Sequence, residues 1–391
     1  MAVLLAALML IAAACGSDDD EGDASEDSGV EADAEGSEDD SSGDDSSGDD
    51  SSGDEADDGG DDAAAPGGDA GQGGNLLLLQ WQAPSLANPL LSGGSKDQLA
   101  ASLVVEPLAR IAPDGSVVAF LATEVPTVDN GGISEDLTQI TWTLQEGIVW
   151  SDGTPLTADD VVFTWEYCTN ETTGCTSLAL YEGIESVVAD DELTVTITFD
   201  APKPYPWVPF VGGQGSIISK NQFADCIGEA AVSCTDENFS PVGTGPYTIT
   251  ELRAEDTVLY EFNPMYRKID EGKPFFGTVE IKGGGDAEST ARSVLEIGEA
   301  DRAWNLQIAP EILGPMEASG NGSVLVGFTS QVEHIHLNQT DPESGSDYAG
   351  GANPHPTLFD DPVIAQALSM AINREELVAV GYGANGAPTC N

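Results

Sequence analysis

Residues 16–74 hold 24 of the chain's 69 acidic residues and no lysine or arginine, which divides the sequence into what can pack and what cannot. The stretch is Asp, Glu, Ser, Gly and Ala, with repeats such as SSGDD and SSGDE and almost no large apolar residue. Such a composition buries too little surface to offset the entropy of ordering, and its like charges extend it into a tether. A calcium array is the sharper alternative, but no repeat has the Gly turn and terminal Glu of a calcium loop. Packing is thus expected from residue 75 onward, over a length that fits two or three units. That part still carries 45 acidic against 12 basic residues, a net of −33 out of −57. So acidic a surface argues against nucleic acid as a partner, which demands a basic footprint.

Ahead of the tract, MAVLLAALMLIAAAC is apolar but too short to span a bilayer as a mature helix. Small residues precede Cys15 and Gly16-Ser17-Asp18 follow it, an arrangement that resembles a bacterial lipoprotein signal. It lacks a basic start, and Ala12 stands where leucine is usual. The expectation is export, lipidation at Cys15 and anchoring on the extracytoplasmic face of the membrane, periplasmic or at the cell surface. The other cysteines agree with that compartment. Cys168 with Cys175 and Cys226 with Cys234 are candidate short-loop disulfides. Reduced buried thiols are the alternative; zinc fits less well, because neither pair has Cys-x-x-Cys spacing or a nearby histidine. Cys390 is left over, and its partner is expected beyond residue 391.

Order is expected to begin at 75–81 (NLLLLQW), a continuous apolar run suited to a strand buried on both faces. A helix is predicted from Lys96 to near Pro107, and a strand over 139–144. IESVVADDELTVTITF (184–199) reads as a hairpin, as do 247–252 and 257–262 around Ala254-Glu255-Asp256. Beyond residue 283, helices over 287–297 and 308–318 alternate with strands over 302–306 and 323–328, the pattern of an α/β unit. Residues 361–380 are strongly helical.

WSDGTPLTADDVVFTW (150–165) has the acidic and aromatic content of a site, yet each residue has a structural use. Asp152-Gly153 is a turn dipeptide, Thr157 an N-cap, and Asp160 the third position of a capping box. Asp159 and Asp160 point about 100° apart on a helix, so they do not converge as a catalytic pair.

The segment LQEGIVWSDGTPLTADDVVFTWEY (144–167) closely resembles the signature of the family 5 extracellular solute-binding proteins, peptide- and nickel-binding components of ABC transporters. PVGTGPYTITEL (241–252), ARSVLEIGEADRAWNL (291–306) and DPVIAQALSMAINREELVAVGYGANGAP (361–388) resemble further family segments in the family's order. The resemblance implies an α/β, two-lobed clam of the type II periplasmic-binding-protein kind with an extra inserted domain. Lobe one would be 75–110 and 241–322, the inserted domain 111–240, and 323–391 the start of a far lobe that is incomplete here. One departure is Asn373 in AINR, where the family has Asp.

Function follows as an expectation. The protein would capture a small peptide or similar solute and deliver it to permease subunits by hinge closure. It would act as a monomer, touching the membrane only through its lipid. A sensor of the same fold uncoupled from transport, or a nickel or oligosaccharide binder, are the alternatives. No catalytic residue and no cofactor is expected, since Gly-x-Ser-x-Gly, His-Glu-x-x-His and P-loop patterns are absent from the sequence. Gly243-Thr244-Gly245 and Gly283-Gly284-Gly285 read as tight turns. His334 and His336 would face one side of a strand, but with no third ligand a metal is not predicted. HIHLNQ resembles the family strand that enters the cleft, which makes His336 and Asn338 ligand candidates. Trp81, Gln82, Trp304, Asn305 and Gln307 are the others, because strand carboxyl ends line the crevice of an open α/β sheet.

Overall fold

The computed structural model describes residues 69–283, 285–304, 306, 308–327, 332–335, 362–383 and 386–388. Cys15, most of the tether and Cys390 lie outside them. Among the described residues no helix is long and apolar enough to cross a membrane.

β1 (Asn75–Gln80) lies inside a five-stranded sheet of order β10-β1-β9-β8-β7, formed with β7 (Tyr247–Arg253), β8 (Thr257–Phe262), β9 (Thr278–Lys282) and β10 (Arg302–Trp304). β1 runs parallel to β9 and β10, while β7, β8 and β9 form an antiparallel meander. The leucine run of β1 suits this place, flanked on both edges by parallel neighbours. Leu78 packs with Ala100, Val104, Tyr260, Val279 and Ile281 under α1 (Ser95–Ala101).

α1 stops well short of Pro107, and the reason is tertiary. The carbonyls of Leu103 and Val104 accept from the N–H groups of Tyr247 (3.1 Å) and Gly245 (2.8 Å) rather than from a continuing helix. The chain then enters the short ribbon β2 (Ala109–Ile111) and β3 (Val117–Ala119). A second, larger core is built on the antiparallel sheet β4-β6-β5, with β4 at Gln139–Thr143, β5 at Ile184–Ala189 and β6 at Thr194–Phe199. Trp142, Trp150, Ile197, Phe223 and Tyr167 fill it, the last from α2 (Ala158–Thr169). The cysteines pair Cys168–Cys175 and Cys226–Cys234, with Cα separations of 5.0 and 5.8 Å.

The motif at 150–165 acts locally. Asp152 Oδ1 accepts from the Thr154 N–H (2.9 Å) and hydroxyl (2.6 Å), and Gly153, at φ +85°, takes the left-handed turn position. Asp160, 5% exposed, closes the capping box on the Thr157 N–H (2.9 Å). It also accepts from Trp150 Nε1 (3.4 Å) and, through Oδ1, from the Lys220 N–H (2.9 Å). Burial pushes this carboxyl up, and those donors pull it partly back. In Asp160→Asn an amide N–H₂ must face one of these donors whichever way the side chain turns. A loss of roughly 2 kcal/mol in urea unfolding is expected; an unchanged midpoint would show that the cap contributes little.

After β9 the chain forms α3 (Ala287–Arg292), extended by one wide turn to Ile297, and α4 (Pro310–Glu317). Ala291, Leu295, Leu313 and Met316 make a third, small core. The strand expected at 323–328 is not formed over its described part, 323–327, where Leu325 is 88% exposed. Apolar alternation makes a strand only where a ladder partner is available. The helical segment near the end is two helices, α5 (Pro362–Ala371) and α6 (Arg374–Gly381). Asn373 caps α6 by accepting from the Glu376 N–H at 3.2 Å, a role it can fill as well as Asp.

Candidate functional site

Because β1 and β10 are parallel and paired Gln80 to Trp304, the segments leaving their carboxyl ends emerge side by side. The segment after β1 turns back and returns as α1, whose first turn faces the same place. Asp97 fastens this return: it accepts from the N–H groups of Ser85 (2.5 Å) and Leu86 (3.4 Å) and from Ser92 Oγ (2.6 Å). Lys96 completes the clamp, donating to Ala83 O (2.9 Å) and to Ser85 Oγ, with Asp97 Oδ1 at 3.6 Å. At Gly283, just past β9, a Cβ would fall 2.4 Å from Ala83 Cα, so the turns after β1 and β9 are in backbone contact.

These pieces enclose a cavity of about 120 Å³ lined by Gln80, Trp81, Gln82, Gly94, Ser95, Lys96 and Trp304. Trp81 is 38% exposed, while Trp304 is half-buried against the core beneath the sheet. The two indoles offer flat apolar walls, and Lys96 and the carboxamides offer polar contacts. That mixture has the chemistry to hold and orient an organic solute, and no nucleophile–base pair is built into it.

Three residues expected from the sequence, Trp81, Gln82 and Trp304, meet at this cavity. Asn305, Gln307, His336 and Asn338 lie outside the described residues. His334 is exposed, with Nδ1 2.9 Å from Val332 O. Among the described residues the one clustered set of metal-type ligands is Cys226, Cys234 and Glu237, and its two sulfurs are joined as a disulfide. Gln80, Gly94, Ser95 and Lys96 were not foreseen. Gln80 carries a usable signal, a polar residue at the end of an apolar strand; the other three depend on the fold of 83–94.

The sheet and the cavity at its strand ends belong to an α/β fold of the two-lobed, type II binding-protein kind, the fold of the solved structures that align with it. The description "Bacterial extracellular solute-binding proteins, family 5 Middle" matches residues 116–390, well over half of the sequence. The chain belongs to this family. Protein XP55 of Streptomyces lividans is 30% identical over 208 residues, 52% of this chain and 35% of that protein. Oligopeptide-binding protein AppA of Bacillus subtilis is 24% identical over 312 residues, 79% of this chain and 51% of its own length. The chain thus spans about half, or less, of the curated relatives it matches. The solved structure of that AppA with a nonapeptide aligns at TM-score 0.58 and 22% identity, over 79% of this chain and 56% of the other. MoaA of A. tumefaciens R10, in complex with mannopinic acid, aligns at 0.59 and 22%, over 79% and 57%.

Proposed function

We propose that this chain is the solute-capturing component of an ABC transporter, that its solute is a small peptide, and that hinge closure presents the loaded protein to permease subunits. The observation that carries the reading is the cavity at the ends of β1 and β10, where Trp81 and Trp304 stand beside Gln80, Gln82 and Lys96. The oligopeptide-binding name of AppA supports a peptide over nickel or a sugar. Lobe one, on this reading, is 75–110 with 241–322, the inserted domain 111–240, and 323–391 belongs to the far lobe. On the same reading Asn305, Gln307, His336 and Asn338 are further ligand candidates. The apolar run before Cys15 and the two disulfides support export, with the protein a monomer lipid-anchored at the extracytoplasmic face of the membrane.

The test is a thermal-shift panel of di-, tri- and oligopeptides, sugars and Ni²⁺. A solute at 100 times its Kd stabilises the native state by about 2.7 kcal/mol. Peptides are expected to raise the melting temperature, and a panel in which only Ni²⁺ or a sugar does so would overturn the peptide assignment. Trp81→Ala should weaken the best peptide by roughly tenfold or more while leaving the unliganded melt nearly unchanged, since this indole is substantially exposed. A melt lowered together with affinity would make Trp81 a packing residue instead.

A further inference from the structure

Gln80 ends β1 on the same face as Leu78, at the floor of the cavity, and only 2% of its surface is exposed. Neither Oε1 nor Nε2 has a hydrogen-bond partner among the described residues. A buried carboxamide with nothing to bond destabilises the fold that holds it, and a methionine would fill the same space without that penalty. The neighbouring polar groups are differently placed. Lys96 is bonded to Ala83 O and Ser85 Oγ, and Asp97 to Ser85, Leu86 and Ser92. Gln80 is thus a buried lining residue with donors and an acceptor both in reserve.

We infer that Gln80 reads a backbone peptide group of the bound solute, an inference that rests on the peptide-binding reading above. A carboxamide presents an acceptor and two donors from one plane, the complement of an amide's N–H and C=O. A carboxylate would leave Oε1 facing another oxygen, and an ammonium would leave Nε2 facing another donor. A secondary amide leaves neither. Its seat would be beside Trp81 and across from Trp304, which pairs with Gln80 in the sheet register. The carboxamide, out of reach of water as it lies, turns toward the cavity about its terminal torsion, which is broad for an sp³–sp² bond. Gln80 is in this sense a specificity residue: it favours solutes with an amide at that depth over those offering only charge.

The experiment compares the chain with Gln80→Met. Each is incubated with a tryptic digest of casein, captured peptides are identified by mass spectrometry, and the Kd of the most enriched one is measured by calorimetry. Melting without peptide is recorded alongside. The variant should melt about 2–4 °C higher, freed of an unbonded amide, yet bind about tenfold more weakly. Replacing the contacted amide of that peptide with an ester should weaken binding to the parent and not to the variant. A variant that melts higher but binds within twofold of the parent overturns the inference. So does one that melts lower and binds worse, which would make the amide a structural bond. A parent that captures no casein peptide while another solute class stabilises it removes the peptide reading itself, a result distinct from either.

Discussion

Arg267→Met is expected to remove about 3–5 kcal/mol of stability at pH 7, the scale for stripping a buried charge of its partner. Glu106 has no exposed surface, and its Oε2 accepts from Arg267 Nη1 at 2.5 Å and from Thr244 Oγ1 at 2.9 Å. Arg267 also stacks near Phe120, with Arg110 over the same ring. Burial pushes the Glu106 carboxyl up from 4.5, while Arg267, followed by Thr244, draws it partly down. Without Arg267 the carboxyl rises further, so the folded variant holds a proton that the unfolded chain releases. A folded-state pKa raised above the unfolded one contributes stability that is complete below the unfolded value and lost as pH rises through the folded value. The deficit relative to the parent should therefore be smallest near pH 4.5 and widen toward pH 7. Urea unfolding at both pH values checks this. Glu106→Leu combined with Arg267→Met should recover much of the loss, since no buried carboxylate is then left without its partner. An Arg267→Met midpoint unchanged at pH 7 would show that the pair contributes nothing.

What could be read from the chain beforehand follows the range of the interactions. Both hairpins, 184–199 and 247–262, were legible because their partners adjoin in sequence and acidic turn residues separate two alternating runs. The cap at Thr157 and Asp160 was legible for the same reason. The parallel neighbours of β1 were not: Thr278 and Arg302 lie some 200 residues away, and no local pattern specifies that register. β9, five residues long, passed unnoticed although it occupies the middle of the sheet. Lys96 to Pro107 has a helical pattern, and its second half is nonetheless held by Gly245 and Tyr247. At the candidate site, placing Trp81, Gln82 and Trp304 at strand ends required only the general rule for open sheets. Seeing Ser95 and Lys96 there required the return of 83–94, which rests on bonds to Asp97 and Lys96 that composition does not reveal.

The Gly243-Thr244-Gly245 segment gives the second large expectation. On one side, Gly245 and Tyr247 donate to the carbonyls of Val104 and Leu103. On the other, Ser151 N–H donates to Gly243 O at 2.9 Å and Ser151 Oγ accepts from the Gly243 N–H at 3.3 Å. The glycines thus connect the segment after α1 to the turn that opens the 150–165 motif, and Thr244 reaches Glu106 from between them. A Cβ on Gly243 would stand 2.0 Å from Val104 O and 2.6 Å from Val104 C, backbone atoms that cannot swing aside. Gly243→Ala is accordingly expected to cost about 3 kcal/mol or more, as overpacking that moves backbone does. The gain from a stiffer unfolded chain, about 0.4–1 kcal/mol, does not offset it. Gly93→Ala is the control: its φ is open to any residue and nothing lies within 4 Å of the added carbon, so it should stabilise by roughly 0.4–1 kcal/mol. Opposite signs for the two substitutions in urea unfolding would locate the cost in the contact with Val104. A neutral Gly243→Ala would mean that the strand-side segment and the motif turn separate easily, and that this glycine pair is a turn and nothing more.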